Sequence, residues 1–335
     1  MMEKGKFVIS LDFEIYWGVR DKRTLQDYGE SLKKVHEIVP RMLKYFDQYG
    51  ARATFATVGF LFAKTKKELL EFSPKKKPDY QDNNLSPYDD SFIKVKETYN
   101  DDPYHFAPNL INLILNHQNH ELGTHTFSHF YCLEHGQSSE DFRNDLEAAI
   151  GISAKYGNQI KSIVFPRNQV NMSYLDICEE LGVVSYRGTE KVWFNRADSE
   201  ADTSLFKKIF RTLDCYLNIS GYHTYSMNEV AKVFPYNIRS SRFLRPYNSK
   251  LGFLEFLKLN RIKRAMTHAA KKGEIFHLWW HPHNFGNNTE KNFKNLLNIL
   301  KHYSYLKRVY DFDSCTMLEV AKDLDSHKDK STMIK

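Results

Sequence analysis

The sequence predicts an α/β fold, an irregular (β/α) barrel of about seven strands. Short apolar runs alternate with segments of helical period along most of the 335 residues. Polar residues suited to chemistry sit just beyond the ends of several of those runs, where (β/α) barrels build their sites. No Gly-x-Gly-x-x-Gly follows the first run, so the competing open dinucleotide-binding sheet loses its support. A length prior of about 150 residues per domain suggests two domains, but a single barrel can fill most of such a chain.

The elements follow from period and punctuation. Residues 7–11 read as a buried strand. Residues 31–49 place Leu32, Val35, Val39, Met42, Leu43 and Phe46 on one helical face closed by Gly50, and 53–58 form the next strand. A Pro-, Lys- and Asp-rich stretch over 73–108 breaks the pattern and is read as an insertion, a lid or a solvated loop. Alternation resumes with a helix over 109–118, a strand over 121–124, and a helix over 139–156 capped by Ser138 and ended by Gly157. Strands at 161–165 and 183–186 flank a helix at 173–181. Residues 188–248 are irregular and aromatic-rich, a second insertion carrying Arg239, Arg242 and Arg245. A long helix over 251–272, a strand over 275–280, a helix over 292–302 and a further strand at 308–312 complete the series. One domain over 1–320 with a polar tail over 321–335 is expected.

Composition excludes several classes. With 41% hydrophobic and 27% charged residues the chain is an ordinary globular one, neither disordered nor collagen-like. An excess of 48 basic over 41 acidic residues is too mild for a nucleic-acid partner. Cys132, Cys178, Cys215 and Cys315 form no Cys-x-x-Cys pair, which removes zinc knuckles and thioredoxin-like chemistry. No apolar stretch is long enough for a signal peptide or membrane span, so a cytoplasmic location is expected.

The candidate chemistry lies at strand ends. Asp12 and Glu14, two apart on the first strand, point the same way; buried together they would repel unless a cation or a shared proton compensates them. His125 and His129 follow the 121–124 strand with metal-ligand spacing. Two His and one carboxylate leave open positions, as in a catalytic zinc or a non-haem iron site. Arg167 and Asn168 follow the fourth strand, and the arginine is expected to pair with a carboxylate and set its pKa. His281 ends the 275–280 strand; facing an activated water, it would be a general acid. The aromatic residues around it, Trp280 among them, are either core or a sugar-stacking wall.

In this order the motifs resemble those of the polysaccharide deacetylase family, the NodB-homology carbohydrate esterases. His125-Thr126-Phe127-Ser128-His129 meets that family's His-(Ser/Thr)-x-x-His motif, and Leu278-Trp279-Trp280-His281 meets its Leu-x-x-His motif. Ser10-Leu11-Asp12-Phe13-Glu14 departs from Thr-Phe-Asp-Asp-Gly: Phe13 stands where the second, metal-binding Asp belongs, and Glu14 would replace it. Pro166-Arg167-Asn168-Gln169 keeps an arginine in altered order. The resemblance, spanning roughly 7–284, implies a divalent metal, zinc first, held by His125, His129 and Glu14. It implies Asp12 as base, His281 as general acid, Arg167 beside the base, and Trp17, Asn168 and Trp280 toward substrate. The roles of Asp12 and Glu14 remain interchangeable at this point. The implied reaction is removal of an acetyl group, N-acetyl ahead of O-acetyl, from an amino sugar or surface-polysaccharide precursor. Arg239, Arg242 and Arg245 read either as a solvated basic loop or as a site for a phosphate-bearing substrate such as a nucleotide- or lipid-linked sugar. A non-catalytic glycan-binding protein and a hydrolase of small cytoplasmic amides or ureides are the alternatives.

Overall fold

A computed structural model describes residues 4–88, 90–195 and 205–333. Nine strands, all parallel, form one sheet: β1 (Lys6–Phe13), β2 (Thr54–Thr57), β3 (Glu121–Thr124), β4 (Ser162–Ile163), β5 (Ser185–Tyr186), β6 (Tyr236–Asn237), β7 (Arg242–Phe243), β8 (Ile275–Trp280) and β9 (Asp313–Cys315). Their order is β6-β5-β4-β3-β2-β1-β8-β7, with β9 beside the first half of β1 (Lys6↔Asp313) and β2 beside its second half (Ser10↔Thr54). The expected irregular (β/α) barrel forms, with more and shorter strands than the hydrophobic pattern shows.

Closure is unusual. One extended stretch carries β6 and β7 and changes partner between them. The amides of Tyr236, Ile238 and Ser240 donate to Val184, Tyr186 and Gly188 on the β5 side. Those of Ser241 and Leu244 donate to His277 and Trp279 on the β8 side. The seam between the sheet's edges is therefore a single strand shared in series.

The helices form where the apolar period requires. The expected 31–49 helix is two, Leu25–Lys33 under a Thr24 capping box and Val35–Tyr49, which ends at Gly50 in the left-handed region (φ 62°). All six residues expected on its face are buried, each contributing roughly 1.5–3 kcal/mol. Ser138 caps Ser139–Ala154 as expected.

Four expectations change. The expected strand at 308–312 falls on the end of a helix, Thr289–Tyr310; the strand follows it as β9. The 188–248 stretch contains helix Leu205–Tyr216 and both seam strands, β6 and β7; residues 196–204 of it lie outside the described set. The 73–108 stretch is not a free solvated loop, because Tyr80 and Leu85 bury themselves against Tyr131; residue 89 lies outside the described set. The expected polar tail is helical over Met317–Met333, where Met317, Val320, Ala321 and Leu324 recur at helical spacing against Val8 and Tyr236. Residues 334–335 lie outside the described set. Among the described residues no helix is long and apolar enough to cross a membrane, and all four cysteines are buried and unpaired.

Candidate active site

The site gathers at the C-terminal ends of β1, β3, β5 and β8. Period-two alternation along β1 turns Ser10, Asp12 and Glu14 inward while Leu11 and Phe13 join the apolar core. The chain then reverses at Ile15, a β-branched residue held at φ 47°. It passes so close that a Cβ on Gly18 would lie 1.9 Å from the Glu14 carboxyl carbon. Gly18 leaves the space that Glu14 occupies.

Beyond β3 the 125–129 loop is fastened from several sides. Thr126 and His129 both adopt left-handed backbone (φ 63° and 60°), a strained choice for residues with a Cβ. Asp145, on the helix Ser139–Ala154, holds them there by accepting from the amides of Phe127 at 2.7 Å and Ser128 at 3.2 Å. The Thr126 hydroxyl accepts from Phe130 N–H at 2.7 Å.

This loop aims two imidazoles at one oxygen. His125 Nε2 lies 3.2 Å and His129 Nε2 3.1 Å from Oε2 of Glu14. His125 Nδ1 donates to the carbonyl of Val164 at 2.7 Å, so the proton of the neutral ring is on Nδ1 and Nε2 presents a lone pair. A lone pair facing a carboxylate oxygen is repulsive unless a cation lies between them. The spacing suits one: ligands about 2.0–2.1 Å from a tetrahedral zinc lie roughly 3.3 Å apart. Burial lowers the His129 pKa to about 4, keeping it a neutral donor. Burial pushes the Glu14 carboxyl up, but His281, His125 and His129 around it hold it well below its usual range. The donor set Glu14, His125 and His129 therefore fits a divalent metal. A second cluster, Asp47, His117 and His120, does not. His120 Nδ1 accepts from the Ala53 amide at 3.2 Å, which leaves its proton on Nε2, the atom facing Asp47.

Asp12 has a different partner. Arg187, just after β5 and fully buried, grips it with two parallel bonds, Nη1 to Oδ1 at 2.6 Å and Nη2 to Oδ2 at 2.8 Å. The same guanidinium donates to Asn168 Oδ1 and to Ser10 Oγ, both at 2.9 Å. Ser10 in turn donates to His277 Nε2 at 2.8 Å, and His277 Nδ1 donates to the Ile238 carbonyl at 3.0 Å. Trp279 covers the guanidinium face at 4.2 Å. Burial raises the Asp12 pKa, yet Arg187, with help from His125 and His281, brings it net below its ordinary value.

His281 closes the constellation. Its Nε2 lies 3.7 Å from Asp12 Oδ2 and 3.6 Å from Glu14 Oε1, and Asn284 donates to its Nδ1 at 3.2 Å. The proton of the neutral ring is thus on Nε2, toward the carboxylates. Its side chain is 23% exposed, against 4% or less for those of Asp12, Glu14, His125 and His129, so access is from the His281 side. His283, buried and neutral with a pKa lowered to about 3 by burial, lies 4.0 Å from Glu14 Oε1.

Several expected roles move. Arg167 pairs with Asp21 and lies 4.2 Å over the Tyr131 ring, so the partner of Asp12 is Arg187 instead. Trp17 and Trp280 are fully buried and unavailable to substrate: Trp17 donates to the His105 carbonyl at 2.9 Å, and Trp280 packs on Phe46 and Phe285. Asn168 is at the site, oriented by Arg187. Arg187 also follows an expected strand, 183–186, but belongs to no motif that marks it. Alternation on β8 would have selected Trp279 over Trp280, since residues 277, 279 and 281 share a face.

Comparison with known proteins bears on the fold and on residues 24–186. Residues 24–186, just under half of the chain, match the family model described as polysaccharide deacetylase. The match includes His125 and His129 and starts after Asp12 and Glu14. No curated protein matches the sequence. Among solved structures, one described as a polysaccharide deacetylase from Mycobacterium smegmatis superposes with a TM-score of 0.57 at 13% identity, covering 97% of this chain and 92% of its own. Another so described, from Pseudomonas aeruginosa PAO1, gives 0.50 at 11% identity, covering 95% and 89%. The Puue allantoinase gives 0.50 at 10% identity, covering 95% and 88%. These likenesses are of fold. Residues 24–186 are thus similar to the polysaccharide deacetylase family model, and the chain shares the fold of these solved structures.

Proposed function

We propose that the protein is a metal-dependent hydrolase that removes an acetyl group, N-acetyl ahead of O-acetyl, from an amino sugar or a surface-polysaccharide precursor. One observation carries this reading: the lone pair of His125 and the nitrogen of His129 converge on a single oxygen of Glu14, beside a separately held carboxylate and an accessible imidazole. Glu14, His125 and His129 would hold the cation, zinc first. When bound, it supplies Lewis-acid polarisation and lowers the pKa of water toward about 7.

The chain's own residues divide the proton work. Asp12, kept ionised by Arg187, accepts the proton of the attacking water at its free lone pairs. His281, acting as the imidazolium, donates its Nε2 proton to the departing sugar nitrogen and returns to the neutral ring, with Asn284 beside Nδ1 fixing its orientation. Trp279 and Phe243 form the aromatic wall beside His281, their ring centroids 5.6 and 5.8 Å from it. Asp12 as base and Glu14 as ligand follow from their partners, an arginine for one and two imidazoles for the other.

Metal analysis of the purified protein, joined to acetate release from N- and O-acetylated sugars, tests this. Acetate release that chelation abolishes and metal restores is expected. A metal-loaded protein that releases no acetate from either series would refute it and leave glycan binding without turnover. The fold shared with an allantoinase motivates one further arm, a small ureide.

A further inference from the structure

Two cavities, both lined by Phe243 and Arg245, include residues that contact His281. The smaller, about 240 Å³, lies against Trp279 and Asn168. The larger, about 730 Å³, reaches Asn284, which orients His281. The wall of the smaller cavity carries four arginines, Arg167, Arg211, Arg242 and Arg245, against two acids, Glu190 and Asp214. Asp214 is already shared by two guanidiniums, Arg242 and Arg261. Burial pushes the Glu190 carboxyl up, against the pull of Arg242 and Arg187.

The arginines differ in what holds them. Arg239, from the same stretch of chain, pairs with Glu229 and covers Tyr225. Arg242 pairs with Asp214, Arg167 with Asp21, and Arg211 donates to the Phe194 carbonyl. Among the described residues no carboxylate lies within ion-pair distance of Arg245. Only its backbone is engaged: its N–H donates to Phe243 at 3.1 Å and its carbonyl accepts from Lys258 Nζ at 2.9 Å. The Lys258 ammonium, itself paired with Glu255, adds a like charge nearby. Among the described residues this half-buried guanidinium has no carboxylate partner, and its planar fork suits phosphate and carboxylate.

We propose that the substrate carries an acidic group, a phosphate or a carboxylate, that seats in this cavity against Arg245. This rests on the hydrolase reading for the placement of the acyl group beside His281, and names the substrate class as an acylated sugar bearing an anion. Arg245 thereby becomes a specificity-determining residue of the site.

Calorimetric titration of the full chain with glucose, glucose 1-phosphate and glucuronate tests it. None of these carries an acyl group, so binding is read without turnover. At least one anionic sugar is expected to bind about tenfold or more tightly than glucose. A preference for glucose 1-phosphate identifies a phosphate, and a preference for glucuronate a uronic acid. Arg245→Gln is expected to erase the preference, and Arg245→Lys to keep part of it. Arg264→Gln, at an exposed position, is expected to keep all of it. Equal affinity for the three sugars, or a preference that survives Arg245→Gln in a protein with wild-type melting, overturns the proposal. Failure of the deacetylase reading appears separately, as missing acetate release with anion preference intact.

Discussion

Replacing Arg187 by methionine should destabilise the protein far more than an ordinary buried substitution. The change removes four hydrogen bonds of one guanidinium: two to Asp12 at 2.6 and 2.8 Å, and one each to Ser10 and Asn168 at 2.9 Å. Methionine fills much of the volume, so the cost is mainly electrostatic: Asp12 is left buried with its strongest counter-charge gone. Breaking a buried ion pair from one side costs about 3–5 kcal/mol. Unfolding entropy near 2.1 cal/mol/K per residue amounts to roughly 0.7 kcal/mol/K for this chain, so the melting temperature should fall by about 4–7 °C. The Asp12→Asn/Arg187→Met double variant removes the stranded charge and should recover at least about half of that loss. Calorimetric melting of wild type, both single variants and the double variant gives the coupling directly. An Arg187→Met melting temperature within about a degree of wild type, or a double variant no better than that single one, would show that Asp12 does not depend on Arg187.

Glu14→Gln and His129→Ala should both lose bound metal and activity together, whereas Asp12→Asn should keep metal and lose about 10²–10⁴-fold in kcat. Metal content and acetate release on the same samples separate them, and the opposite pattern for the two carboxylates exchanges their roles. Gly18→Ala drives a methyl into the Glu14 carboxyl and should weaken metal binding about 10–100-fold in a chelator competition, the scale of disturbing a ligand's support. Unchanged affinity would mean that the 15–18 turn yields freely. His277 titrates between the guanidinium of Arg187 and the carboxylate of Asp12; burial first, then Arg187, lowers its pKa from 6.5 to about 3. The unfolded chain then takes up a proton below pH 6.5 that the folded protein refuses, so this contribution is complete above pH 6.5 and is lost as pH falls toward 3. His277→Gln should therefore reduce the slope of stability with pH between 6 and 4 by about 1.4 kcal/mol per unit in urea titrations. An unaltered slope would contradict a neutral, buried His277.

The sequence shows the site's inventory more clearly than its wiring. Asp12, Glu14, His125, His129 and His281 are legible because each follows an apolar run, and a barrel brings strand ends together. The pairing of Asp12 with Arg187 is not legible. It connects residues 175 apart on strands separated by three others, and no local period records that contact. Arg167, beside a proline and part of a recognisable motif, is the more conspicuous arginine, yet its partner is Asp21. The seam strands escape notice for a related reason. Each is two residues long, and the chain changes neighbours before either alternation can repeat. Helical faces such as Val35–Tyr49 are readable because fifteen residues supply several turns of the pattern.

The shared seam strand lies beyond the stretch similar to the family model. Family-level similarity ends at residue 186, one residue before Arg187. Between residue 188 and β8 the described residues supply β6, β7 and nine of the twelve residues that line the smaller cavity. Because the seam is remade by a few backbone bonds, the stretch between β5 and β6 can lengthen, shorten or change its lining without altering the register of any strand that carries Asp12, Glu14 or the two imidazoles. On the proposed reading, most of the cavity wall and most of the reacting groups therefore sit on different lengths of chain.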